Sequence, residues 1–226
     1  MRSPKAIFFD VGNTLLFRNQ SRILAPLYQR GIYPTTEQLH AIERRTKGEF
    51  DEAVMHGGNV DHGFWHTYYS HLLEQFHAED DQLCGTLVAA TRISANWCVI
   101  LPGTHDVLER LKQNYRLGVI SNADGKIAEV LARCGIAGCF ITITDSGLVG
   151  HEKPHQAIFQ AALRELGAEA GHSLYVGDVY SVDYMGAVRA GMDAVLFDVS
   201  GAYRESGLPR VESMKELEEK LNAATT

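Results

Sequence analysis

The chain has 226 residues, 45% of them hydrophobic and 22% charged, a composition that fits one or two globular domains and excludes a disordered or fibrous chain. Lys and Arg total 21 against 28 Asp and Glu, a formal net charge of −7, which argues against a nucleic acid or an anionic membrane as the main partner. Small phosphates stay open, because a bound cation inverts the local field. A chain this long buries about 70% of its unfolded surface and needs no disulfide or structural metal. Cys84, Cys98, Cys134 and Cys139 form no CxxC pair, so reduced thiols are expected rather than a zinc site. The sequence opens without a secretory pattern and has no apolar run near the roughly 18 residues of a membrane span. The expectation is a soluble, cytoplasmic protein.

In chain order, the first predicted element is the apolar run Ala6-Ile7-Phe8-Phe9, which breaks at Asp10 and Gly12 as a strand buried on both faces does before a turn. From about Phe17 to Val99 the pattern becomes helical, with Leu24, Leu27 and Tyr28 and then Leu72, Leu73 and Phe76 at helical spacing. Leu101-Pro102-Gly103 marks the return to a strand and helix alternation. A helix is predicted over 104–114, then a strand Leu117-Ile120 that stops at Ser121-Asn122. A helix over 126–134 and a strand Phe140-Ile143 ending at Thr144-Asp145 follow. Next come a helix over 157–166, a strand Leu174-Val176 ending at Gly177-Asp178, a helix over 185–190 and a strand Ala194-Phe197 ending at Asp198. Met214, Leu217 and Leu221 share one face of a last helix, whose charges are solvated. The alternation predicts an α/β doubly wound parallel sheet. An all-α unit, residues 18–99, is expected to interrupt a core made of residues 1–17 and 100–226.

In such a sheet, ligands bind beyond the carboxyl ends of the strands. There the sequence delivers Asp10, then Ser121 and Asn122, then Asp178, with Asp183 five residues later. Two carboxylates about 5 Å apart repel by roughly 3 kcal/mol at an effective dielectric of about 20. Three together call for a counter-charge, which a hard divalent cation such as Mg²⁺ supplies most readily, with Lys153 able to add to it. The plainer reading is that each Asp caps a helix or turn.

The order Phe9-Asp10-Val11-Gly12-Asn13-Thr14-Leu15, Ser121-Asn122, Lys153-Pro154, then Gly177-Asp178 with Asp183 and Gly186-Ala187, resembles the four motifs of the haloacid dehalogenase-like (HAD) hydrolase superfamily. Ala190-Gly191-Met192 adds to the resemblance, which spans the core. It implies a Rossmann-like core with a helical cap at the insertion. It also implies that Asp10 is a nucleophile forming an aspartyl intermediate, and that Lys153 holds Asp10 and the transferring group by charge. Ser121 would donate to phosphoryl oxygens, with Thr14 and Asn122 supporting substrate binding. Mg²⁺ would be held by Asp10, Asp178 and the carbonyl of Gly12, with Asp183 binding through water or orienting the ligands.

One position departs from the pattern. Phosphatases of this family usually carry a second Asp two residues after the nucleophile, where this chain has Gly12. Its loss removes a general acid-base contribution of about 10²- to 10⁴-fold and makes sugar hydroxyls harder leaving groups than acyl or aryl groups. The metal position survives, because glycine also has a carbonyl. Replacement acids are sought in the insertion, where His56, His62 and His66 surround Gly57-Gly58, although solvated imidazoles in a surface turn are the preferred reading of them. Trp65, Tyr68 and Tyr69 either wall a substrate pocket or form cap core. Arg18 and Arg22 either contact an anionic substrate tail or lie on the first cap helix, and His151 sits near the expected site or simply in a loop.

The reading is a Mg²⁺-dependent phosphatase of a small phosphorylated metabolite. The alternatives are a catalytically weak binding or regulatory protein and a 2-haloacid dehalogenase, whose halide leaves unprotonated. No motif bears on oligomeric state.

Overall fold

The computed structural model of the chain describes residues 4–57 and 63–225. Its chain order begins with β1 (Ala6–Phe9), β2 (Phe17–Arg18), α1 (Gln20–Ile23), α2 (Ala25–Tyr28), α3 (Thr36–Met55), α4 (Gly63–Gln75), α5 (Asp81–Arg92) and β3 (Trp97–Val99). It continues with α6 (Thr104–Leu111), β4 (Arg116–Ser121), α7 (Ile127–Arg133), β5 (Thr142–Asp145), α8 (Ser146–Val149), α9 (Gln156–Leu166) and β6 (Ser173–Gly177). After a single π-helical turn at Tyr180–Tyr184 come α10 (Met185–Arg189), β7 (Asp193–Phe197), β8 (Arg210–Val211) and α11 (Met214–Thr225).

Six strands form one sheet in the order β5-β4-β1-β6-β7-β8, with every pairing parallel. β1 is central because all four of its residues are buried. Its pleat sends Ile7 and Phe9 into one apolar layer with α6, α7 and α11. Ala6 and Phe8 go into the other, with α9 and α10, as a period of two requires. Helices on both faces make this the doubly wound α/β sheet that the alternation predicts. The strand order turns around β1, so the carboxyl ends of β1, β4 and β6 open onto a common crevice.

The predicted strand Phe140-Ile143 is displaced. The paired segment is β5, whose register with β4 begins at Gly118 opposite Thr142, and Ile141 is 61% exposed. Apolar content draws the sequence reading two residues early, whereas β-branched Thr142, Ile143 and Thr144 make the ladder. β8 and the antiparallel ribbon of β2 with β3 are strands of two or three residues, too short for a periodicity to register.

The segment between β2 and β3 is helical and has its own apolar cluster, including Ile23, Leu27, Ile42, Tyr68, Tyr69, Leu72 and Leu87. Its long helix α3 starts at a capping box, with Thr35 accepting from Gln38 N–H and the Gln38 side chain accepting from Thr35 N–H. Besides its apolar contacts, α3 buries Glu43, Lys47 and Asp51, three charged residues at a four-residue spacing and therefore on one face. That face meets the π-helical turn after β6. No helix of the described residues is long and apolar enough to cross a membrane.

Candidate active site

Lys153 is 2% exposed and its ammonium is fully used. It donates to Asp10 Oδ1 at 2.5 Å, to Asp183 Oδ1 at 2.7 Å and to the Tyr175 hydroxyl at 2.8 Å, three acceptors for three protons. The lysine is aimed by its own backbone. Asn122 Oδ1 accepts from Lys153 N–H at 2.7 Å while Asn122 Nδ2 donates to Lys153 C=O at 3.1 Å. Asn122, expected among the substrate contacts, therefore has both ends of its amide on the lysine's peptide groups. Asp183 is engaged on both sides, because Oδ2 accepts from the N–H groups of Asp178 at 3.2 Å and Val179 at 3.0 Å. Gly177 makes room for it, since a Cβ there would lie 2.6 Å from Asp183 Cγ.

Asp178 meets a second buried cation. Its Oδ2 lies 2.9 Å from Lys47 Nζ and accepts from Asn13 Nδ2 at 3.3 Å. Lys47, 1% exposed, also pairs with Glu43 at 2.9 Å, and Glu43 lies 3.7 Å from Arg18. Asp51, one turn further along α3, accepts from Ser181 N–H at 2.9 Å and from the Tyr203 hydroxyl at 2.7 Å. Asn13 adopts a left-handed backbone (φ 52°), which Asn tolerates better than most residues.

The carboxylates of Asp10, Asp178 and Asp183 each place a ligand atom within 4.8 Å of the others. Among the described residues no hydrogen bond reaches Asp10 Oδ2 or Asp178 Oδ1. Burial pushes the Asp10 carboxyl up to about 7, with Lys153 opposing and Asp183 and Asp178 adding to the rise. Burial likewise raises Asp178 to about 6, against Lys47 and with Asp183 and Glu43. Burial works against charge on Lys153, but Asp10 and Asp183 hold it above its ordinary value. The same opposition holds Lys47 high, through Asp178 and Glu43. Two buried carboxylates with a vacant oxygen each and raised affinity for protons are chemically suited to a hard divalent cation.

These residues open on a cavity of about 570 Å³ lined by Asp10, Gly12, Ser121, Asn122, Lys153, Asp178 and Asp183. Thr14 is buried with a hydroxyl that finds no partner among the described residues and does not line this cavity. Phe50, Phe64, Trp65 and Trp97 also line it. Gly12 lies directly under Trp97, whose ring is 3.2 Å from where a Cβ at position 12 would be. Trp97 is held by its Nε1–H donating to Thr91 C=O at 2.8 Å.

The insertion's other candidates separate. Trp65 faces the cavity, while Tyr68 and Tyr69 are fully buried in the helical cluster. Arg18 is stacked over the Trp65 and Tyr68 rings at 4.6 and 4.7 Å, and Arg22 is exposed. His56 is exposed with Nδ1 2.8 Å from Glu52 C=O. His66 is also exposed, 3.5 Å from Ser70 Oγ, and Gly58 and His62 lie outside the described residues. His151 is exposed and stacks on His155 at 4.4 Å. None of the described histidines lines the cavity. Sequence reasoning missed Lys47, Trp97 and Tyr175. The Glu43, Lys47, Asp51 spacing was visible, but a charged helical stripe ordinarily faces water.

The family model for haloacid dehalogenase-like hydrolases matches residues 4–191. The chain belongs to the haloacid dehalogenase-like hydrolases. Among curated members, a glyceraldehyde 3-phosphate phosphatase of Methanothermobacter thermautotrophicus is 33% identical over 202 residues, covering 85% of this chain and 84% of the relative. The pyrimidine 5'-nucleotidase YjjG of Escherichia coli is 25% identical over 224 residues, covering 95% and 96%. Among solved structures, the magnesium-bound HAD-hydrolase YfnB of Bacillus subtilis superposes with a TM-score of 0.70 at 21% identity, covering 98% of this chain and 100% of that one. The last likeness is one of fold. This HAD-like hydrolase is thus an enzyme, with the Rossmann-like core of its family and a helical insertion where such members carry a cap.

Proposed function

We propose that this HAD-like hydrolase is a cytoplasmic, Mg²⁺-dependent phosphatase of a small phosphorylated metabolite that works through an aspartyl-phosphate on Asp10, with residues 18–99 as the cap. The observation that carries the reading is the buried set of Asp10, Asp178, Asp183 and Lys153 around one cavity, with an open oxygen on Asp10 and on Asp178. Relatives named as phosphatases support it, and four free cysteines fit a reducing compartment.

Asp10 is the nucleophile, its Oδ1 fixed by Lys153 so that Oδ2 points the reactive lone pair toward substrate. Lys153 carries positive charge toward the transferring phosphoryl group. Ser121, whose hydroxyl has no hydrogen-bond partner among the described residues, donates to a phosphoryl oxygen. Asp183 positions Lys153 and the Asp178 backbone, and Asn122 positions Lys153. Asp10, Asp178 and the Gly12 carbonyl would hold Mg²⁺, with Asp183 beside them. When bound, the ion supplies positive charge to the phosphoryl oxygens and to the crowded carboxylates.

The test is release of phosphate from p-nitrophenyl phosphate with and without Mg²⁺, beside Asp10→Asn. Metal-dependent release that the variant lacks by more than about 10³-fold is expected. Equal release by both proteins would remove Asp10 from the chemistry. Halide release from a 2-haloacid instead of phosphate release would transfer the reading to a dehalogenase.

A further inference from the structure

The aromatic part of the cavity lining says what kind of group leaves. Trp97 fills the space above Gly12, the position at which phosphatases of this family usually carry the proton donor for the departing oxygen. The rings of Phe50, Phe64, Trp65 and Trp97 form a continuous edge-to-face row, with centroids 5.5, 5.0 and 5.6 Å apart in sequence. The row is braced from behind, because the Arg18 guanidinium stacks on Trp65 and Trp97 is bonded to Thr91. Hydroxyls of a sugar or polyol placed against these rings would exchange water for carbon and lose their hydrogen bonds. A flat apolar group would gain both burial and ring contact. The cavity of about 570 Å³ is within the range of about 300–1,000 Å³ that accepts ring-containing ligands. The two further carboxylates of its lining, Asp124 and Glu152, are exposed, and Asp124 already accepts from Ser94 at 2.7 Å.

We propose that the substrates of this site are phosphates of planar, conjugated leaving groups, aryl and acyl phosphates, which depart without taking a proton from the enzyme. The inference rests on the phosphatase reading above and narrows it. In the first step an Asp10 carboxylate oxygen bonds to phosphorus as the bond from phosphorus to the leaving oxygen breaks. The electron pair goes with the aryloxide or carboxylate, whose conjugation stabilises it, so no acid is needed at position 12. In the second step water adds to the phosphorus of the aspartyl-phosphate and the Asp10 carboxylate departs. Both water protons stay on the phosphate, which leaves as dihydrogen phosphate. This second leaving group is again a carboxylate and again needs no acid.

The deciding comparison is p-nitrophenyl phosphate against benzyl phosphate, which share a ring and differ in whether the leaving oxygen is conjugated with it. Wild type is expected to favour the aryl ester in kcat/KM by at least about 10³-fold, since the general-acid contribution of about 10²- to 10⁴-fold is missing. Trp97→Ala is expected to raise KM for the aryl ester about tenfold, through lost ring contact, while KM for acetyl phosphate stays put. Gly12→Asp combined with Trp97→Ala supplies both an acid and the room for it, and benzyl phosphate turnover should rise at least tenfold. Wild type that hydrolyses benzyl phosphate within tenfold of the aryl ester, in a reaction abolished by Asp10→Asn, would overturn this inference and leave the phosphatase reading standing. Absence of Asp10-dependent phosphate release from every ester would overturn both. Should the double variant fail to fold, the wild-type comparison still decides.

Discussion

Two lysines enter the acid cluster from opposite parts of the molecule. Lys153 comes from the core, and Lys47 comes from α3 of the insertion. Both are almost fully buried, and each bridges two carboxylates. Their surroundings differ in what they leave free. Lys153 lines the cavity and binds the proposed nucleophile, whereas Lys47 approaches Asp178 away from the cavity lining. One cation therefore adds its charge to the cavity. The other balances the charge of a carboxylate and ties α3 to the turn after β6. Burying two such pairs stabilises little by itself, because desolvation offsets most of the attraction, but removing one partner is costly.

If the two lysines divide the work in this way, the largest effect is expected at Lys153. Lys153→Met should lower kcat by at least about 10³-fold, with the loss of charge at the phosphoryl group. It should also cost about 3–5 kcal/mol in urea unfolding of the metal-free protein. If Lys47→Met lowered kcat as far, the division of roles between the two lysines would be gone. Asn122→Ala should act through Lys153, lowering kcat about 10- to 100-fold at nearly constant KM. A rise in KM alone would instead make Asn122 a substrate contact.

Lys47→Met tests the insertion's share. Taking a positive charge from beside Asp178 should tighten Mg²⁺ binding about tenfold or more by calorimetry, while Lys47→Arg leaves it unchanged. Weaker binding by Lys47→Met would show that Lys47 chiefly holds Asp178 in place. The smallest effect is on pH dependence. Asp10 and Asp178 have folded values near 7 and 6 against an ordinary 3.8, so the folded protein binds more protons than the unfolded chain between those limits. Their contribution to stability is complete below about pH 4 and is lost as pH rises through 6 and 7. The metal-free protein should lose several degrees of Tm over that window. Asp10→Asn should flatten most of the slope, and a slope unchanged in the variant would move the titration to other groups.

Legibility followed position in the fold. Asp10, Ser121 and Asp178 stand where buried strands end, so the break from apolar to polar residues marks them without tertiary information. Lys153 was visible through its Lys-Pro context, but its three acceptors were not, because Tyr175 lies inside a strand that reads as ordinary core. Asn122 reads from the sequence as a substrate contact, and nothing local shows that its amide faces the peptide groups of residue 153. His56 and His66 attracted attention as titratable groups near a glycine pair, yet they sit in water. The charged stripe of Glu43, Lys47 and Asp51 on α3 gives no such signal for the opposite reason, because charged residues four apart on a helix usually mark its wet side.

The order of short apolar runs, the residues that end them and the helical interruption after the first were enough to determine the parallel α/β core and to nominate the carboxylates beyond its strands. Those features are local, and a two-residue pleat or a helical repeat is written in neighbouring residues. What faces those carboxylates was decided by folding alone. The ring of Trp97 over Gly12 and the ammonium of Lys47 beside Asp178 come from positions 85 and 131 residues distant along the chain. Contacts of that separation depend on how two packed units meet, a property that no window of sequence contains.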